Sequence, residues 1–387
     1  MQSTRSTGGA ECPNLEDARG LEMKTWLGVL GIVVGLVACG GSGGSDAGPD
    51  STADADWDLW EGLSRPDMAA DAPNDAPNDT PPDTVPPPDT TGIQPPPKGP
   101  VPGLFDCTHD PAGLPGRLSP VPLDCVIDPD CREPMVVGHR GAGGDGGVVA
   151  PENSLSALRA AIVMGVDGIE VDVRVTADEQ LVLMHDGSLE RTTGVDAEVG
   201  DLTLAEITAL PLLSSDKWDG DFSCDTVPTF QEALELCKDR VYLDVDMKTT
   251  RGDLVALAIE EAGMLDQAFV STGSVDTLLL AREAVPAVRL QIRTHTPEEL
   301  QAGLDLFDPD PEIFEVYVEE ISWSEPAVHG ADLTLFTDVF IEDVLVVVLG
   351  QPDAIYLDLY DQGADVLQTE YPQYLVTVLG REFPSAE

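Results

Sequence analysis

Six polar residues cluster around three short apolar runs in the middle of the chain. His139 and Arg140 follow the run 135–137, Glu170 and Asp172 lie within 169–175, and His185 and Asp186 follow 181–184. Their types suit hydrolysis of an anionic ester. Imidazoles titrate near neutral pH and serve as acid and base. An arginine grips an oxyanion with two prongs. Carboxylates take a hard cation. Glu170 and Asp172 are two apart, so on a strand their side chains share a face. Two carboxylates on one face of an apolar run repel each other and lose hydration, at several kcal/mol each without a partner. Either a bound cation or ion pairs to Arg140 or Arg174 at a frayed strand end would relieve this. The histidine motifs on both sides favour the cation.

The runs themselves are β-branched or aliphatic and read as buried strands. Between the first two, residues 151–165 repeat Leu155, Leu158 and Ile162 at helical spacing, and Gly165 closes the helix. Strand, helix, strand, strand opens an α/β unit. In a parallel α/β barrel the C-terminal strand ends share one face, and that face carries the chemistry. All six polar residues are therefore expected at C-terminal strand ends. Further strands are expected within 240–250, 268–274, 288–295, 314–322, 333–340 and 364–370, giving nine candidates for the eight places of a barrel. One must be peripheral.

Four motifs, HRG (139–141), PEN (151–153), IEVDV (169–173) and HDGSLERTTG (185–194), follow one another closely. DLTLAEI (201–207), VPTFQEAL (227–234), VDMK (245–248) and GADVLQTEYPQYL (363–375) come after them. In this order they resemble the glycerophosphodiester phosphodiesterase family, over about residues 135–379. The resemblance implies an α/β fold, a (β/α)8 TIM-like barrel. It also implies metal-dependent hydrolysis of glycerophosphodiesters to glycerol 3-phosphate and an alcohol. Carried over residue by residue, it puts Glu170, Asp172 and Asp246 on one divalent cation, Ca²⁺ or Mg²⁺, with Glu152 as an outer member. Arg140 and Lys248 would bind phosphate, and His139 and His185 would act as acid and base. Asn153 would cap the following helix or orient a ligand, the cap being the favoured role. The family has glutamate in a Glu-x-Lys motif where this chain has Asp246, one methylene shorter; Asp244 is the fallback ligand. Phe336 stands where the family has a tryptophan, and Glu370 where it has an aspartate, so the substrate wall is expected to differ. Two other readings remain: a lysophospholipase D or sphingomyelinase D-like phosphodiesterase, and an inactive envelope binding protein.

Composition bounds the rest. The formal charge is −51, from 71 acids and 20 bases, which excludes nucleic-acid binding. Residues 23–39 begin with a lysine before an apolar stretch and end in Leu-Val-Ala-Cys. This resembles a bacterial lipoprotein signal with Cys39 as the lipidated residue, and it is shorter than the ~20 apolar residues that span a bilayer. Residues 1–22 are polar and acidic, unlike anything that precedes such a signal, so the true start is expected at Met23. Residues 40–104, rich in Gly, Ser, Asp and Pro, cannot bury enough apolar surface to fold and read as a disordered tether with a reach of roughly 45 Å. Residues 105–134 form an N-terminal extension and 135–387 the barrel domain. The expected location is a bacterial cell envelope, lipid-anchored at a periplasmic face or the outer membrane. The substrate is a small phosphodiester, and no protein partner is implied. Exported cysteines are expected as disulfides: Cys224 with Cys237, and two of Cys107, Cys125 and Cys131, leaving one free. Mass spectrometry of the unprocessed precursor should give an N-terminus at Met23, and of the mature protein a lipid-modified Cys39. A peptide from within 2–19 would exclude the proposed start.

Overall fold

The structure, a computed structural model, describes residues 99–385 apart from 143, 145–148 and 216–217. The expected leader, the signal segment with Cys39 and nearly all of the tether lie outside these residues. Eight parallel strands close into a barrel: β1 (Met135–Gly138), β2 (Gly168–Val175), β4 (Tyr242–Met247), β5 (Ala268–Ser271), β6 (Arg289–Arg293), β7 (Ile313–Val316), β8 (Thr334–Asp338) and β9 (Val366–Thr369). β1 pairs with both β2 and β9, which completes the circle. The expected barrel is borne out. The ninth candidate is β3 (Leu181–Leu183), which runs antiparallel along β2, with Leu183 opposite Val173 and Leu181 opposite Val175. His185 and Asp186 therefore do not end a barrel strand, as expected, but follow a strand that turns back along β2.

Helices alternate with the strands, as parallel pairing requires. The first, α1 (Leu155–Met164), buries Leu158, Ile162 and its alanines against the sheet. Its cap is Ser154, whose side chain accepts from the Ala157 N–H, and Gly165 ends it at φ 76°. The cap expected of Asn153 thus falls to its neighbour. α2 (Phe230–Cys237) starts with a Thr229–Glu232 capping box. α3 (Gly252–Ala262), α4 (Val275–Ala284), α5 (Pro297–Leu306), α6 (Ile321–Gly330), α7 (Ala354–Asp361) and α8 (Pro372–Val378) follow in order.

The core has two main layers. One lies between strands and helices. The other fills the barrel floor, where Met135, Val137, Tyr242, Phe269, Ile313, Phe336 and Val366 meet. These come from six different strands, so they can share one cluster only inside the barrel. Val121, Cys125 and Val126 of the extension seal this floor from below, and Thr334 donates to the Val126 carbonyl at 2.7 Å. Phe336, expected at a substrate wall, is fully buried in the floor. The reason is register: Phe336 pairs with Val366 at the level of Met135.

The cysteines pair as Cys107–Cys224 and Cys125–Cys131, and Cys237 is a buried thiol. The expected Cys224–Cys237 bridge is not made, because α2 turns Cys237 into the core. Cys107–Cys224 instead fastens the extension across 117 residues of chain. Closing so long a loop restricts the unfolded chain strongly. Replacing both residues by serine should lower the unfolding free energy by about 2–5 kcal/mol in a denaturant titration. An unchanged midpoint would mean that the extension contributes no constraint.

Candidate active site

β2 supplies Glu170 and Asp172, and the neighbouring β4 supplies Asp246, which sits directly across from Asp172 in register. One oxygen from each lies within 4.8 Å of the others, and all three residues are buried. Asp244 sits one step deeper, opposite Glu170. It accepts from Ser271 Oγ at 3.2 Å and Gln291 Nε2 at 2.9 Å, so it belongs to the layer between floor and mouth.

Each member of the trio is held by its own partner. The Arg140 N–H donates to Glu170 Oε2 at 2.8 Å. That loop needs left-handed backbone at Arg140 (φ 48°) and Gly141 (φ 92°). A Cβ on Gly141 would also come within 2.8 Å of Ala157 on α1, so the glycine of the HRG motif is a steric requirement. Asn153 (φ 52°) clamps Asp172 from two sides: its Nδ2 donates to Asp172 Oδ2 at 2.8 Å, and its Oδ1 accepts from the Asp172 N–H at 3.1 Å. Asp246 Oδ2 accepts from Arg293 at 2.9 Å and pairs with Lys248 at 3.2 Å. Arg293 also grips Glu315 at 2.9 Å. Lys248 lies 3.8 Å from Asp172, and Arg140 Nε lies 3.4 Å from it.

Both histidines meet this cluster. His139 Nε2 is 3.9 Å from Glu170 Oε2, while its Nδ1 is 2.6 Å from Glu370 Oε1. The Phe340 ring packs on the imidazole with centroids 4.6 Å apart. Glu370 is fixed by its own N–H, which donates to Asp343 Oδ2 at 2.7 Å. His185 follows Met184, whose N–H donates to the Asp172 carbonyl at 3.0 Å, and its Nδ1 is 2.7 Å from Asp186 Oδ1. Asp186 accepts from Arg191 at 2.6 Å. Arg191 in turn donates to both oxygens of Glu152, at 2.7 and 2.8 Å, and Glu152 also accepts from Arg140 at 3.1 Å. Glu152, expected as an outer cation ligand, thus joins two arginines instead. An ionised carboxylate only accepts, so each imidazole donates from Nδ1, and His139 turns its Nε2 toward the cluster. Arg174 ties the return strand down, donating to the His185 carbonyl at 2.7 Å and the Lys248 carbonyl at 3.2 Å.

Charge in the site is unevenly balanced. Burial pushes Glu170 well above the usual carboxylate range, and Asp172, Asp246 and Asp244 push it further. Burial also opposes ionisation of Asp172, but His185, Arg140 and Lys248 outweigh it and hold that group low. Arg293 and Lys248 do the same for Asp246. The trio offers only oxygen donors, and one member lacks enough positive charge. That is the environment a hard divalent cation fits, with Glu170, Asp172 and Asp246 as the residues that would hold it. Sequence reading did not single out Arg191, Arg293, Asp343 or Phe340 for these places. Arg293 had a visible signal, as a basic residue within an apolar run.

Burial raises Asp244 to about 7 and Asp343 to about 8, each from an ordinary 3.8. A carboxyl whose folded value is raised favours the fold while protonated. That contribution is complete below pH ~4 and is lost as pH climbs through the raised value. Without divalent cations, the melting temperature should therefore fall between pH 5 and pH 8. Asp343→Asn should lower it at pH 5 yet flatten the decline. A wild-type melting temperature that is flat across this range would contradict the assignment.

Residues 139–305 match the glycerophosphoryl diester phosphodiesterase family. A glycerophosphodiester phosphodiesterase of Caldanaerobacter subterraneus is 36% identical over 127 residues, 33% of this chain and 49% of that one. Human glycerophosphodiester phosphodiesterase 1 is 34% identical over 129 residues, 30% of this chain and 38% of its own. The chain thus spans half or less of the length of these relatives. Among solved structures, a glycerophosphoryl diester phosphodiesterase from Parabacteroides distasonis superposes with a TM-score of 0.56 at 22% identity, covering 68% of this chain and 92% of that one. An Oleispira antarctica phosphodiesterase does so with 0.53 at 23% identity, covering 64% and 97%. At such identities the structures speak for the barrel alone, and the family rests on the sequence match. Over residues 139–305 the chain is similar to the glycerophosphoryl diester phosphodiesterase family, and the likeness lies in its barrel.

Proposed function

We propose that this protein hydrolyses glycerophosphodiesters to glycerol 3-phosphate and an alcohol, with one divalent cation, Ca²⁺ or Mg²⁺, and with His139 and His185 as the acid and base. One observation carries the reading: each imidazole is oriented by a carboxylate at Nδ1, His139 turns its Nε2 to Glu170 of the buried trio, and the residue before His185 is bonded to the backbone of Asp172. The solved Oleispira antarctica relative was crystallised with sn-glycerol-3-phosphate as its product, which supports this choice of substrate class.

The chemistry follows from the charges. A phosphodiester resists attack because its anionic oxygens repel the nucleophile. Glu170, Asp172 and Asp246 would hold the cation, whose chemistry there would be Lewis-acid polarisation of the phosphoryl group. Lys248 adds a point charge beside it, and the Arg140 guanidinium can exchange a carboxylate contact for a phosphate oxygen. Nε2 of one histidine takes the proton of the attacking hydroxyl, which is either water or the substrate's own glycerol; in the second case a cyclic phosphate forms and water opens it in a second step to glycerol 3-phosphate. Nε2 of the other donates a proton to the leaving oxygen. Glu370 and Asp186 keep each ring in the tautomer and direction that this requires. The same proposal holds the enzyme in a bacterial cell envelope through a lipid on Cys39. The residue pattern 23–39 supports that location, with the tether giving the barrel reach.

Glycerophosphocholine should be converted to glycerol 3-phosphate and choline in equal amounts, and a chelator should abolish turnover. His139→Ala and His185→Ala should each lower kcat about 100-fold or more. Asp246→Asn should weaken cation binding measured by calorimetry. Turnover that survives chelation would remove the cation from the scheme.

A further inference from the structure

The segment that follows β8 is built inside out. Between residues 339 and 350 its only charged side chains are Glu342 and Asp343, and both face inward, at 5% and 0% exposure. Ile341, Val344, Val348 and Leu349 face outward at 43%, 38%, 55% and 59%. In a segment turned to water the order would be reversed. Asp343 has a reason to be inside, since Tyr356, Thr369 and the Glu370 N–H all donate to it. The outward aliphatic residues have no such internal reason. Residues 341, 344 and 348 recur at helical spacing and so present one face.

The position of this face matters. It begins at Phe340, which packs on His139, so it borders the mouth of the site. The described chain enters on the same side. Gly99 lies against Val149, and Val149 closes the β1–α1 loop by donating to the Ala142 carbonyl. In sequence, 59 residues lie between Cys39 and Gly99. With the lipid proposed on Cys39, the chain that carries this face would be joined to a bilayer. The charge of the face narrows the choice of lipid. The segment contains no Lys, Arg or His. Glu319 stands close enough to Glu342 to disfavour its ionisation, and the chain as a whole carries −51. An anionic surface would be repelled.

We propose that residues 339–349 form a docking surface for a zwitterionic lipid–water interface, holding the barrel mouth against it. The surface is read from exposure and position. Its use, which is to keep the site at the surface from which deacylated phospholipids are released, rests on the activity proposed above.

Hydrogen–deuterium exchange of the full chain tests this with a local readout, whatever else binds the membrane. With phosphatidylcholine vesicles, exchange across 339–350 should slow about fivefold or more. The outward aliphatic residues of α4, Val275, Leu279 and Leu280, should gain no protection. The triple variant Val344→Ser, Val348→Ser, Leu349→Ser should lose the protection, and so should Leu349→Asp alone. Both should keep wild-type turnover of soluble glycerophosphocholine. Three outcomes overturn the surface: no protection, protection equally strong with phosphatidylglycerol, or protection that appears on concentrating the protein without lipid, which means self-association. Protection in a chain that turns over no glycerophosphodiester would leave the surface standing and remove the proposed activity.

Discussion

Repulsion among carboxylates confined in a low-dielectric barrel is the constraint from which the rest follows. Above the apolar floor, Asp244, Glu315 and Gln291 form a polar layer, with Gln291 Nε2 donating to both acids at 2.9 Å. Glu170 lies opposite Asp244, and Asp172 and Asp246 lie one step above them. Two like charges 4 Å apart repel by about 4 kcal/mol even at an effective dielectric of 20. Arg293 answers part of this by bridging Asp246 and Glu315, and Lys248 and Arg140 answer more. Glu170 is left with its carboxyl held well above the usual range by burial and its acidic neighbours. The same deficit is what a divalent ion on Glu170, Asp172 and Asp246 would relieve.

The histidines depend on that arrangement indirectly. Each would be a poor proton carrier if its ring turned freely. His139 is locked by Glu370, which Asp343 fixes in turn. His185 is locked by Asp186 and a chain of Arg191, Glu152 and Arg140. That chain links the HRG loop to the HDG loop, so the two histidine motifs are mechanically joined as well as neighbours. β3 makes the second half possible. By turning back along β2 it brings His185 down beside Asp172, where a strand continuing outward would carry it away.

The disagreements between sequence and structure have a common origin. Phe336 and Asp338 are two apart, so their identities alone could assign either to the mouth. The level at which β8 meets β9 sends Phe336 to the floor and leaves Asp338 above it. Cys224 and Cys237 are near in sequence, but a helix lies between them and Cys107 arrives from 117 residues away. Asn153 and Ser154 are both able helix caps. Ser154 takes the cap, which frees Asn153 to clamp Asp172 across 19 residues of chain.

By itself, the sequence determined the alternation of strands and helices, the pairing of Glu170 with Asp172 on one face, and the ordered motifs that mark the family. Those are matters of local periodicity and residue type, which a linear chain displays directly. Only the tertiary structure decided which strand is peripheral, which acid completes the trio, which carboxylate steers each histidine and which cysteines join. Each of these depends on strand register and on side chains that meet across long stretches of chain, and neither quantity is carried by spacing along the sequence.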